Sequence, residues 1–131
     1  MTPPSSADQD EVLAVVQAFF DVIETRDAER GAEIALPEAV FTSVRSADGQ
    51  RVVRHTTTAQ FLASLGQGDD QYLEDFVGTP TVLVEGDVAT VWTEYFFDIN
   101  GERSHTGIDA FNLVRTDDGW KLSGAAYSVV R

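Results

Sequence analysis

From Tyr72 to Val130 the chain is rich in Val, Thr, Phe, Tyr and Trp, and it is cut by Glu85-Gly86-Asp87, Asn100-Gly101 and Asp117-Asp118-Gly119. Those residue types suit a pleated, half-buried surface, and the interruptions carry the residues that hairpin turns require. The turns lie about fourteen to eighteen residues apart, so each strand can run ~12 residues, against a usual ~5–6. Neighbouring strands of that length twist and must coil. A curled four-stranded meander with helices on one side follows.

The first half supplies the helices. Asp8 to Arg26 predicts one, because Val12, Leu13, Val15, Val16, Phe19, Phe20 and Ile23 form a wide apolar stripe at helical spacing. Asp8 is placed as its N-cap, with Asp10 and Glu11 in the first turn. A short helix is expected from Ala28 to Ile34, stopped by Pro37. Val40 to Val44 and Arg51 to Arg54 read as short strands around an Asp48-Gly49 turn. Thr57-Thr58-Ala59-Gln60 resembles a capping box opening a third helix over Phe61, Leu62 and Leu65, ended by Gly66 and Gly68. His55 stands just before it, where it can help cap. Residues 1–7 read as a flexible leader and 8–131 as a single α+β domain.

Charge and composition exclude several roles. The net charge of −13, from 22 acidic and 9 basic residues, repels nucleic acid and anionic membrane, and no Lys/Arg run offsets it. There are no cysteines, so thiol nucleophiles, disulfides and zinc–thiolate sites are excluded. The two histidines, His55 and His105, have no metal-ligand spacing, so no metal or other cofactor is expected. No apolar run reaches the ~18 residues of a membrane helix. The first ten residues lack the basic and apolar regions of a secretory signal, and a cytoplasmic location is expected.

A two-residue Asn100-Gly101 loop pairs Ile99 with Glu102, and the pairing places Phe96 opposite His105, Glu94 opposite Gly107 and Trp92 opposite Asp109. Carried through Asp118-Gly119, one face holds Trp92, Phe96, Phe111, Leu113, Trp120, Leu122 and Ser128, with Glu94, His105 and Asp109 among them. The other holds Val91, Thr93, Tyr95, Phe97, Ile108 and Tyr127. The first carries the larger rings and is assigned to the concave, helix-covered side. The second is apolar too and is assigned to a subunit contact.

Ionisable groups on an apolar face are costly unless paired, which makes Glu94, His105 and Asp109 candidates for catalysis. His105 and Asp109 stand four residues apart on one strand, about 13 Å, so neither bonds the other directly. Glu94 is diagonal to both and within reach of His105. Each group has a structural alternative: Glu94–His105 as an ion pair at an open strand end, and Asp109 held by backbone or by Ser128. Trp92, Phe96 and Phe111, with Ser128 and the helix residues Phe19 and Phe20, are the expected ligand contacts, or simply core. Asp98 opposite Arg103 reads as a cross-strand ion pair.

Val12-Leu13-Ala14-Val15-Val16-Gln17-Ala18-Phe19-Phe20-Asp21, followed by Thr25-Arg26-Asp27, resembles the first helix of the nuclear-transport-factor-2-like superfamily. Phe111-Asn112-Leu113-Val114-Arg115 with Asp118-Gly119-Trp120-Lys121-Leu122 resembles its closing hairpin, above all in the SnoaL-like and lumazine-binding-like branches. The resemblance implies a cone-shaped half-barrel with a long N-terminal helix and two short helices on the concave side, often a homodimer through the outer sheet face. It implies a pocket for a small apolar or aromatic ligand, and His105 and Asp109 loosely match strand positions where SnoaL-like cyclases carry acid–base groups. The chain departs from the steroid isomerase pattern, with Phe19 and Phe20 and no Tyr on the first helix, and it lacks the Arg-x-Asp motif of the epoxide hydrolases. Three functions stay open at this point. They are a cofactor-free isomerase, cyclase or dehydratase acting on an apolar carbonyl compound, a non-catalytic ligand binder, and a dimeric assembly module.

Overall fold

The computed structural model describes residues 6–131. The first five residues of the expected leader lie outside that range. Helix α1 spans Ser6–Thr25. Val12, Val16, Phe19, Phe20 and Ile23 are its buried stripe. It begins two residues before Asp8, so Asp8 sits in the first turn and not at the cap. Its carboxylate meets the Arg115 guanidinium at 2.9 Å. Arg26, at φ 59°, turns the chain out of the helix. α2 is Ala28–Ile34, capped by the Asp27 carboxylate, which accepts from the Arg30 amide. α3 is Thr58–Ser64, and Thr57 and Gln60 form its reciprocal capping box. His55 takes no part in that cap; its Nδ1 is 2.9 Å from the Thr42 hydroxyl on the neighbouring strand.

The strands are β1 (Ala35–Ala47), β2 (Gln50–Thr57), β3 (Tyr72–Glu85), β4 (Val88–Ile99), β5 (Glu102–Thr116) and β6 (Gly119–Val129). β1 is longer than expected and includes Pro37. Proline is tolerated there because pairing with β6 lapses between Ala35 and Val40, so no ladder bond is lost. The expected four-stranded meander is part of a six-stranded sheet in the order β2-β1-β6-β5-β4-β3. β1 runs parallel to β6 and every other pair is antiparallel. The sheet is curled and not closed, and β2 and β3 are its edges. α1 packs on β3, β4 and β6, and α3 packs on β1 and β2.

Two single-residue bulges reset the faces. Pairing follows the Asn100-Gly101 turn through Asp98–Arg103, then slips so that Phe97 pairs with His105, leaving Ser104 as the extra residue. In the β5–β6 ladder Leu113 pairs with Leu122 but Asn112 with Gly124, leaving Ser123 over. Each extra residue turns the following side chains to the other face. The concave face therefore carries Val91, Thr93, Tyr95 and Phe97 of β4 beside His105, Asp109 and Phe111 of β5 and Tyr127 of β6. Trp92, Glu94 and Phe96 point to the convex side, contrary to expectation, and Trp92 is 55% exposed.

Gly107 faces Tyr95 across the β4–β5 ladder. The Tyr95 ring lies over it to donate its hydroxyl to the Ser128 carbonyl at 2.7 Å, tying β4 to β6 across β5. A β-carbon at Gly107 would stand 2.0 Å from that carbonyl oxygen and 2.9 Å from the Tyr95 ring. Gly107→Ala is expected to lower stability by about 2–4 kcal/mol, as backbone overlap must be relieved by moving a strand. A denaturant midpoint unchanged from wild type would refute this close approach.

Candidate functional site

The curl encloses a hollow of about 260 Å³ between the concave sheet, α1 and α3. That is just below the ~300–1,000 Å³ of common ligand pockets, so it suits a molecule of one or two rings. One wall is phenylalanine: Phe19 stacks on Phe41 at 5.6 Å and on Phe61 at 5.2 Å, with Phe111 edge-on at 5.5 Å. Opposite, Phe97 stacks on the His105 ring at 4.8 Å, with Tyr72 beside Phe97 and Tyr95 edge-on to His105. Tyr127 completes the lining.

Two carboxyl groups face this hollow, Asp109 of β5 and Glu74 of β3. Both are buried, at 3% and 8% exposure. They stand two strands and several residues apart in the ladder, and the coil of the sheet folds their side chains into a mutual hydrogen bond. Burial pushes the Asp109 carboxyl up to about 6, opposed by the hydrogen bond from Glu74. Burial first, then the charge of Asp109, holds Glu74 well above the ordinary carboxylate range. Both shifts run upward, so the two carboxyls titrate as a coupled pair that resists carrying two charges. Apart from the Glu74 carboxyl, the buried Asp109 Oδ2 has no hydrogen-bond partner among the described residues.

The other polar groups are neutral. Burial lowers the His105 imidazole from its ordinary value, with a smaller contribution from the Arg131 charge. Its Nδ1 is 3.0 Å from the Ser104 hydroxyl, on the bulge residue. Burial raises the Tyr95 phenol, whose proton is committed to Ser128. Tyr127, opposite Asp109 in the β5–β6 ladder and Ser43 in the β1–β6 ladder, is also raised by burial, a shift the Ser43 hydroxyl opposes.

Of the residues expected here, Asp109, His105, Phe19 and Phe111 line the hollow. Phe20 is core beneath it, packed edge-on against Phe76 and Phe111. Ser128 does not reach Asp109; its hydroxyl accepts from the Ile108 amide at 2.9 Å. Glu94 and His105 are on opposite faces, so the proposed pair does not form. Phe96 lies outside under the Arg103 guanidinium at 4.5 Å. That same Arg103 pairs with Asp98 as expected, at 2.7 Å. Glu74 was missed. Its signal is parity: in Tyr72-Leu73-Glu74-Asp75-Phe76 it shares a face with two aromatic residues. Among the described residues no three His, Asp or Glu side chains are grouped to hold a metal ion, and no helix is long and apolar enough to cross a membrane.

Because Asp109 holds its proton more tightly folded than unfolded, its ionisation costs stability. The cost is absent below the ordinary aspartate range and grows as pH rises through about 6. Asp109→Asn is expected to raise stability by on the order of 2 kcal/mol at pH 8 and to change it little at pH 4. Thermal unfolding at the two pH values checks this, and equal midpoint shifts at both would contradict the burial argument.

The SnoaL-like domain model matches residues 4–125. No curated protein matches the chain by sequence. Solved structures share the fold. A nuclear-transport-factor-2-like superfamily protein from Salmonella enterica superposes with a TM-score of 0.77 at 16% identity, over 98% of this chain and 94% of that one. A candidate dehydratase of the same family from Streptomyces avermitilis superposes with a TM-score of 0.67 at 20% identity, over 96% and 98%. A cystatin-like-fold protein of this type from Novosphingobium aromaticivorans gives 0.70 at 18% identity, over 94% and 82%.

Proposed function

The chain belongs to the SnoaL-like domain family of the nuclear-transport-factor-2-like superfamily, and from that premise we propose that its hollow performs acid–base chemistry on a small, apolar, carbonyl-bearing molecule. The observation that carries this reading is the buried Asp109–Glu74 carboxyl pair, facing a hollow otherwise walled by rings. Buried ionisable groups are costly, and a base that must accept a proton from carbon is a reason to keep one on an apolar wall.

In this reading Asp109 removes a proton from the carbon next to the carbonyl. Its value of about 6 keeps it ionised at neutral pH while leaving it more basic than an ordinary aspartate. Glu74, whose carboxyl burial and the Asp109 charge push well above the ordinary range, positions Asp109 through their hydrogen bond. Tyr127, directly opposite Asp109 on one side and Ser43 on the other, donates its hydroxyl to the oxygen on which charge develops. Neutral His105, stacked on Phe97, orients the ring system. Return of the proton from Asp109 to another carbon gives isomerisation, and its delivery to a β-hydroxyl, which leaves the enolate as water, gives dehydration. The likeness to a candidate dehydratase supports the fold on which such chemistry can be built.

The experiment is deuterium incorporation from D2O at the α-carbons of phenylacetone and 2-indanone, followed by proton NMR. Wild type is expected to accelerate exchange along a profile rising through about pH 6, and Asp109→Asn to lose at least about 100-fold. Equal exchange by the two proteins would sink the assignment of the base. Binding of the ketones without exchange in either would favour the non-catalytic binder.

We also propose that two copies associate through the convex face. Exposed Trp92 pairs laterally with Ala110, and Ala110 with Ala126, giving a low apolar strip across three strands. Light scattering is expected to show a dimer, and Trp92→Glu to yield a folded monomer. A monomeric wild type at micromolar concentration would end this proposal.

A further inference from the structure

The hollow contains acids, but its margin is basic. Strand pairing gathers three arginines that the sequence scatters. Arg54 of β2 shares a row with Ser43, Tyr127 and Asp109. Arg45 of β1 pairs with Val129 of β6, one row further along. Arg131 follows the Thr106–Val130 bridge and so registers opposite His105. Alternation along each strand puts all three on the concave side, since Phe41, Thr56 and Tyr127 of the same strands line the hollow. Successive arginines are diagonal neighbours, about 7–8 Å apart at the backbone. None of the three makes an ion pair among the described residues. The chain has 22 acidic residues against nine basic ones. Yet the concave positions of β1 and β2 from residue 41 to 56 are Phe41, Ser43, Arg45, Ala47, Gln50, Val52, Arg54 and Thr56, with no carboxylate among them. The fields of Arg54 and Arg131 reach inward to Tyr127 and His105 respectively.

We propose that the substrate is an organic anion, its apolar carbonyl-bearing body seated among the rings and its carboxylate held at the margin by Arg45, Arg54 and Arg131. This rests on the acid–base reading above and names its substrate class. Guanidinium groups bind carboxylates bidentately, and a cationic margin beside a low-dielectric hollow concentrates an anion despite the overall negative charge, which salt screens beyond ~8 Å. Length selects further. Arg54 lies three strands from Asp109, about 14 Å at ~4.8 Å per strand, and its own side chain spans part of that. One aromatic ring between carboxylate and ketone fills the remainder.

The probes are 4-acetylbenzoate and its uncharged analogue 4-acetylbenzamide, titrated by NMR at low and high salt. The acid is expected to bind at least tenfold tighter at low salt, with the advantage shrinking as salt rises. Arg54→Ala and Arg45→Ala should each remove most of that advantage and leave the amide unchanged. Arg51→Ala, the same loss of charge on the opposite face of β2, should leave it intact. The amide binding as tightly as the acid, binding of neither, or an Arg51→Ala effect equal to that of Arg54→Ala overturns the proposal. Exchange at the acetyl methyl separates the two readings. Preference for the acid without any exchange sinks the base and spares the arginines, and equal exchange of both probes with equal affinity does the reverse.

Discussion

A strand that carries one residue too many turns over every side chain that follows, and in this protein both the curl of the sheet and the content of the hollow depend on two such places. At Ser104 the extra residue lets the Asn100-Gly101 turn keep its tight geometry while His105, Gly107, Asp109 and Phe111 face inward with Phe97, Tyr95, Thr93 and Val91. At Ser123 it does the same for Ala125 and Tyr127 against Phe111 and Asp109. Bulges also bend and over-twist a strand. The device that selects which residues line the hollow therefore helps to make it concave. Gly107 completes the arrangement, because only a residue without a β-carbon lets the Tyr95 ring cross β5 to reach the Ser128 carbonyl.

Concavity then decides the chemistry of the acids. On a flat sheet Glu74 and Asp109 would be separated by the full width of β4 and by several residues along it. Folded across the hollow they touch, and in that setting both cannot be charged. The outcome is a coupled pair that resists full ionisation, in which burial has made Asp109 more basic than an ordinary aspartate. That state destabilises the fold near neutrality, and a core of rings along α1 and the sheet offsets it. Strain of this kind, carried by the site and compensated by the surrounding core, is common where chemistry is done.

How much of this is legible in the sequence follows from what each signal measures. The α1 stripe, the Ala28–Ile34 helix, the Thr57–Gln60 capping box and the Asp48-Gly49 and Asn100-Gly101 turns are local, and they stand where their residues place them. Asp109 and His105 were found because each is an ionisable group at an apolar parity, and they line the hollow. Trp92, Glu94 and Phe96 were misplaced because parity was carried from a turn through a bulge, and Ser104 and Ser123 have no feature that marks them as extra residues. Glu74 was missed because its partner is brought to it by the three-dimensional coil, which no pairing scheme drawn flat can show. The arginine cluster is only half local: Arg45 and Arg54 are diagonal in the β1–β2 hairpin, but Arg131 joins them only when β1 pairs with β6 in parallel.

The hollow and the core are one continuous structure, and Arg26 shows how. Leaving α1 at a positive φ, it sends its guanidinium to the backbone carbonyls of Leu65, Gln67 and Asp70 and lays it 4.9 Å over the Tyr72 ring. The segment joining α3 to β3 is thereby fixed to the end of the helix that bears Phe19 and Ile23. Tyr72, Leu65, Phe19 and Ile23 are all walls of the hollow. The residue that ends α1 thus also holds the Leu65 and Tyr72 side of the hollow against the helix. A hollow of about 260 Å³ discriminates by shape at its ring-lined end. Selection by charge is left to the open margin, where β1, β2 and the end of β6 meet water.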